Sequence, residues 1–187
     1  AIDFDGGRYG IGILSRQRPL RIERRALPGR EEARAIIVAE FKDYVFAATH
    51  LSLTEEDRMA SLAIITEMAR TSRKPFIIAG DMNAEPGSTF IGELEKDFHI
   101  CSKNAKSWPA DSPQACLDYI AAYKSYGDVK RPGADDEWAN YRPYVGEPAV
   151  TLNAQVVNTQ ASDHRPIYAD IVLPTPTAQL LTTQPYL

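Results

Sequence analysis

"PFIIAGDMN", Pro75–Asn83, decides how this 187-residue chain is read. The unbroken apolar run from Phe76 to Ala79 predicts a strand covered on both faces, as in sheets that carry helices or a second sheet over them. Gly80 then permits a close backbone approach, and Asp81 emerges at the carboxyl end of the strand with Asn83 two residues on. Gly-Asp-x-Asn is also an ordinary turn in which Asp and Asn bond their own backbone, so the stretch alone leaves both a structural and a catalytic reading open.

Just upstream, "TEEDRMASLAIITEMARTS" (54–72) sets Met59, Leu62, Ile65 and Ala69 at helical spacing, with Thr54 and Asp57 spaced as a capping box. An amphipathic helix is predicted there. Further back, "YGIGILS" (9–15), "LRIERRAL" (20–27), "RAIIVAEF" (34–41) and "YVFAATHL" (44–51) read as antiparallel strands joined by turn-rich pieces. Downstream come a short helix from about Ser88 to Lys96, strands in "FHICS" (98–102) and "CLDYIAAY" (116–123), and an irregular loop over 124–147. "AVTLNAQVV" (149–157) and "PIYADIVL" (166–173) alternate as strands. Residues 1–173 therefore read as one α/β domain, and 174–187, without a core pattern, as a C-terminal tail.

With 44% hydrophobic and 25% charged residues, the chain is expected to be a soluble globular domain, and a disordered or fibrous class is excluded. A net charge of −4 gives no global attraction to polyanions, so any phosphate contact must come from a local cluster. Eight arginines fall between Arg8 and Arg34, either lining an anionic site or solvating strands. No apolar stretch approaches the length needed to cross a bilayer, and the first residues lack a signal-peptide pattern. Cys101 and Cys116 are too few for a disulfide scaffold; they either pair, if their strands are neighbours, or sit quietly in the core.

The groups able to do chemistry cluster at strand ends beside turn residues: His50, Asp81, Asp118 and the Asp163–His164 pair. In layered α/β folds such ends are where sites collect. Asp118 lies in an apolar run and needs a charged or hydrogen-bonding partner, for which His164 is the candidate. Adjacent Asp163 points to a different side of the chain and is free to serve a hard, oxygen-seeking metal, while Asp118 keeps His164 cationic against a phosphate. Two imidazoles, several carboxylates and an amide fit metal-assisted attack of water on phosphorus better than covalent catalysis, since neither a reactive cysteine nor a serine elbow is present.

Taken in order, "YGIGILSR", "EEARAIIVAEF", "ATHL", "GDMNAEPGS", "LDYI" and "ASDHRPIYADI" closely resemble the endonuclease/exonuclease/phosphatase superfamily, which includes deoxyribonuclease I, abasic-site endonucleases, neutral sphingomyelinases and inositol polyphosphate 5-phosphatases. The resemblance implies a four-layer α/β sandwich of two packed, mainly antiparallel sheets flanked by helices. It also implies Mg²⁺-dependent hydrolysis of a phosphoester, with Mn²⁺ an alternative ion. By the same resemblance Asp81 orients and deprotonates the attacking water, Asn83 binds the phosphate, and His164 stabilises the pentavalent transition state with Asp118 as its partner. Asp163 is implied as a metal-site acid, His50 as a phosphate contact, and Arg34 as a basic residue near the substrate.

Family members begin with a strand bearing an Asn and a later strand ending in a metal-binding Glu, and neither precedes "YGIGILSR". The expectation is an incomplete N-terminus lacking the first strands, weak Mg²⁺ binding and low activity in this fragment, and exposed strands prone to homodimerisation. A non-catalytic binding domain that keeps the fold is the alternative. Nucleic acid, a phospholipid head group and a sugar or inositol phosphate all stay open as substrates, with the acidic balance disfavouring non-specific DNA binding. Trp108 and Trp138, in loops, either border the substrate or pack on their own domain.

Overall fold

In the computed structural model, residues 2–4, 6–124 and 149–173 are described. A short hairpin, β1 (Ile2–Phe4) and β2 (Gly7–Tyr9), is followed by β3 (Arg21–Leu27), β4 (Arg34–Glu40) and β5 (Val45–His50). Helix α1 (Glu55–Thr71) leads to β6 (Phe76–Asp81), α2 (Thr89–Asp97), β7 (Phe98–Ile100) and β8 (Asp118–Tyr123). A second antiparallel pair, β9 (Val150–Val156) and β10 (Ile167–Val172), completes the described elements. The six central strands form one sheet in the order β3-β4-β5-β6-β8-β7. Only β5 and β6 pair in parallel within it, because α1 carries the chain back over the face to start β6 at the same end as β5.

The continuous apolar run in β6 is explained by cores on both faces. Ile78 packs with Ile36, Ala47, Ile65, Phe90, Leu94 and Tyr119 under the helices. Ile77 turns the other way, joining Cys101, Ala122 and Ala149 with Phe46, Ile120, Ala169 and Ile171 beneath the β9–β10 pair. The architecture is the α/β sandwich expected from sequence, and the described residues supply helices, a large sheet and part of a second sheet. The two cysteines lie in different cores and are both free, with burial pushing each thiol pKa up, so they are the inert core residues of the second reading. Among the described residues no helix is long and apolar enough to cross a membrane.

Two local expectations are corrected. The strand read over 9–15 ends at Tyr9, and Leu14 is fully exposed. Among the described residues no strand lies beside Gly10–Ser15 to complete a ladder, so alternation alone does not hold it extended. The capping box also fails to close: Thr54 occupies the N-cap without a side-chain bond to the helix. Asp57 is taken instead by the Arg30 backbone N–H at 3.0 Å, the Arg30 guanidinium and the Ser52 hydroxyl, a charge-assisted network that outcompetes a local cap. At α2 the cap does form, with the Ile91 N–H donating to Ser88 Oγ. The loop expected over 124–147 lies outside the described residues but for Lys124, as do Trp138 and the tail from 174.

Gly80 is dictated by the β5–β6 pairing. Its φ is +149°, and a Cβ there would lie 1.9 Å from the Thr49 carbonyl oxygen. Backbone cannot move aside as a flexible side chain would. Gly80→Ala is therefore expected to destabilise the fold by about 2 kcal/mol or more, read as a drop in Tm. An unchanged Tm would show that β6 can be displaced at no penalty.

Candidate active site

Strand register assembles the site. His50 pairs with Asp81 across the parallel β5–β6 ladder, and Asp81 pairs with Asp118 across the antiparallel β6–β8 ladder. Cross-strand partners share a face, so the three side chains stand in one row at one end of the sheet. His164 arrives from the segment before β10. That segment is docked by Arg165 N–H to the Ser107 carbonyl (2.8 Å), Ala110 N–H to the Asp163 carbonyl (2.7 Å) and Arg165 Nε–H to the Ala110 carbonyl (2.7 Å). His164 Nδ1 consequently lies 2.8 Å from Asp118 Oδ2, and its Nε2 lies 3.8 Å from Asp81 Oδ2. His50 Nε2 approaches the same Asp81 oxygen at 3.4 Å.

Burial and charge then sort the protonation states. Burial lowers the His164 pKa, but the hydrogen bond and charge of Asp118, aided by Asp81 and Asp163, outweigh it and the net shift is upward. His50 shifts down, because burial dominates over the attraction of Asp81 and the Arg34 charge adds to it. Asp81 is pushed up, chiefly by burial and also by Asp118, against the Asn83 backbone N–H and the two imidazoles. One imidazole is set to be cationic and the other neutral, facing a carboxylate more basic than usual.

Asn83 serves the turn and the site together. It sits at φ +48°, its N–H donates to Asp81 Oδ1 at 2.8 Å, and its Nδ2 donates to the Leu51 carbonyl at 2.9 Å. The turn thereby leaves Asp81 Oδ2 facing the imidazoles. Arg34 is almost wholly covered, its side chain 4% exposed and paired with Glu31 at 3.2 Å and Glu32 at 3.7 Å. Glu31 in turn accepts from the Leu53 N–H and Ser52 hydroxyl, both at 2.8 Å, which anchors the guanidinium. The Asp163 carboxylate is exposed and accepts from the Ser162 hydroxyl at 3.0 Å. It stands outside the group formed by Asp81, Asp118 and His164, whose ligand atoms lie within 4.8 Å of one another.

Two neighbours of the site have no signature in the sequence pattern. Ser107 is fully buried and donates to Asp118 Oδ2 at 2.6 Å, so that oxygen accepts from both Ser107 and His164. Tyr9, read from sequence as the start of a strand, places its hydroxyl 2.7 Å from His50 Nδ1. The Trp108 ring lies 6.4 Å from the His164 ring at a 49° tilt and is 41% exposed, so this loop tryptophan, noted in the sequence, lies beside the site. Two carboxylates converging on one point suit a hard divalent cation that keeps waters and a substrate oxygen as its other ligands.

The model of the Endonuclease/Exonuclease/phosphatase family matches residues 2–164, a span that contains every one of these side chains. The chain belongs to this family. Solved structures with the same fold include an endonuclease/exonuclease/phosphatase from Bacteroides vulgatus, with a TM-score of 0.61 and 17% identity over 83% of this chain and 66% of that one. The human nocturnin catalytic domain with bound sulfate aligns at TM-score 0.56 and 16% identity, over 83% of this chain and 59% of its own. A mannosyl-6-phosphatase from Bacteroides thetaiotaomicron aligns at TM-score 0.53 and 14% identity, over 82% and 66%. This chain thus spans less than two thirds of the length of these family structures. No curated protein sequence matches it.

Proposed function

We propose that the protein is a Mg²⁺-dependent phosphoester hydrolase in which a water activated at Asp81 attacks phosphorus in line with the leaving oxygen. The observation that carries this reading is the meeting of Asp81 Oδ2 with two imidazoles of opposite protonation preference. A basic, partly buried carboxylate can take the proton of water as the P–O bond forms. The His164 imidazolium, held by Asp118 and Ser107, stands beside it to stabilise charge on the equatorial oxygens and to protonate the leaving group. Neutral His50 offers an N–H to a phosphate oxygen, and Asn83 keeps Asp81 aimed while its amide adds a phosphate contact. Arg34 contributes positive charge from behind His50.

Asp81 and Asp118 are the oxygen donors that would hold Mg²⁺ or Mn²⁺, with Asp163 a further acid nearby in sequence; when bound, the ion neutralises phosphoryl charge and acidifies water. Family membership supports phosphoester chemistry, as do a fold neighbour named as a phosphatase and another carrying sulfate. Trp108 beside His164 offers a flat apolar face to a sugar or base ring. Purified protein is expected to hydrolyse a generic aryl phosphodiester or phosphomonoester with Mg²⁺, to lose turnover in chelator, and to regain it on readdition of the ion. Turnover that survives chelation sinks the mechanism.

A further inference from the structure

Resting on the hydrolase reading, we propose that Tyr9 is a positioning residue that locks His50 as the Nε2–H tautomer, so that an N–H is always presented toward Asp81 and a bound phosphate. The Tyr9 hydroxyl lies 2.7 Å from His50 Nδ1, a contact in which either partner could donate. The neighbour on the far side of the ring removes the ambiguity. Beyond the ring, Nε2 faces Asp81 Oδ2 at 3.4 Å, and an ionised carboxylate only accepts, so Nε2 carries the hydrogen. A neutral imidazole carries one N–H, so with Nε2 holding it Nδ1 keeps its lone pair. Nδ1 must then accept, and the Tyr9 O–H donates to it.

The hydrogens consequently run in one direction from Tyr9 through His50 to Asp81. The phenol stands nearly perpendicular to the imidazole, with ring centroids 6.1 Å apart and an interplanar angle of 79°, so contact is by the hydroxyl and ring edge rather than by stacking. Without that hydroxyl nothing in the described contacts of Nδ1 stops the ring from rotating or exchanging tautomers, and the donor toward the phosphate becomes intermittent. Tyr9 therefore acts through His50.

The test uses ¹⁵N NMR of the histidine rings together with kinetics. In the unsubstituted protein, His50 is expected to show a protonated Nε2 and an unprotonated Nδ1; a protonated Nδ1 overturns the proposal whether or not the protein proves to be a hydrolase. Tyr9→Phe, which keeps the ring, is expected to shift the Nδ1 resonance toward a mixed tautomer, leave the His164 signals in place, and lower kcat by about 10- to 100-fold with little change in KM. In Tyr9→Phe/His50→Ala the loss should equal that of His50→Ala alone, since one residue acts through the other. Additive losses, or an unmoved Nδ1 resonance in the folded Tyr9→Phe protein, refute the positioning role.

Discussion

Asp81→Asn is expected to lower kcat by about 10²- to 10⁴-fold, the usual consequence of removing a general base, while leaving the fold intact. The amide keeps an oxygen for the Asn83 N–H, so the turn that aims the side chain survives. What is lost is the ability to accept a proton from water. Stability should move the opposite way. Burial holds the Asp81 pKa above the ordinary carboxylate value, which means the folded chain binds that proton more tightly than the unfolded chain does. This contribution favours the fold at low pH and is lost as pH rises through the raised pKa, so at neutral pH the ionised group is a liability. Asp81→Asn should accordingly match or exceed the parent in Tm at pH 7, with the gap closing on acidification. A variant that keeps full turnover, or one that unfolds, contradicts this account.

A second large effect is expected at His164, and it carries a pH signature. His164→Ala should reduce kcat by on the order of 10²- to 10³-fold through loss of the donor to the transition-state oxygens. It should also destabilise the protein, because among the described residues Asp118 Oδ2 would retain Ser107 alone as a partner in a half-buried position. Burial alone would depress this imidazole, and the Asp118 hydrogen bond and charge reverse the sign. Since the imidazolium is the working form, activity should fall as pH rises through the raised pKa. Asp118→Asn removes the main raising influence, so the alkaline limb of kcat/KM against pH should move to lower pH. An alkaline limb indifferent to Asp118→Asn would show that another group sets it.

Much of the fold could be read from local pattern. The strands at 20–27, 34–41, 44–51, 75–81, 116–123, 149–157 and 166–173 show period-two alternation or an unbroken apolar run, and all of them form to within a residue or two of those bounds. The helices at Glu55–Thr71 and Thr89–Asp97 follow apolar spacing and, for the second, a serine cap. Failures occurred where a distant partner decided the outcome. Asp57 left its own helix cap for Arg30, 27 residues upstream, and the alternating residues after Tyr9 have no neighbouring strand among the described residues.

The site divides along the same line. His50, Asp81, Asp118 and His164 could be picked out because a polar group ending an apolar strand is conspicuous, and the structure brings all four together. Ser107 and Tyr9 could not, since each is an unremarkable polar residue whose partner lies 11 or 41 positions away. Asp163 was expected to point to a different side of the chain from His164, and it does: His164 faces the carboxylates while Asp163 is exposed.

Composition and periodicity determined by themselves which segments become strands and helices, and which acids and imidazoles sit at their ends, because burial of apolar faces is a local demand on every second or every third to fourth residue. Only the tertiary structure decided that one oxygen of Asp81 meets two rings, that Asp118 is shared by Ser107 and His164, and that a phenol backs His50. Those pairings depend on strand register and on how loops dock, and hydrogen bonds discriminate over tenths of an ångström, a scale on which side-chain pattern carries no information.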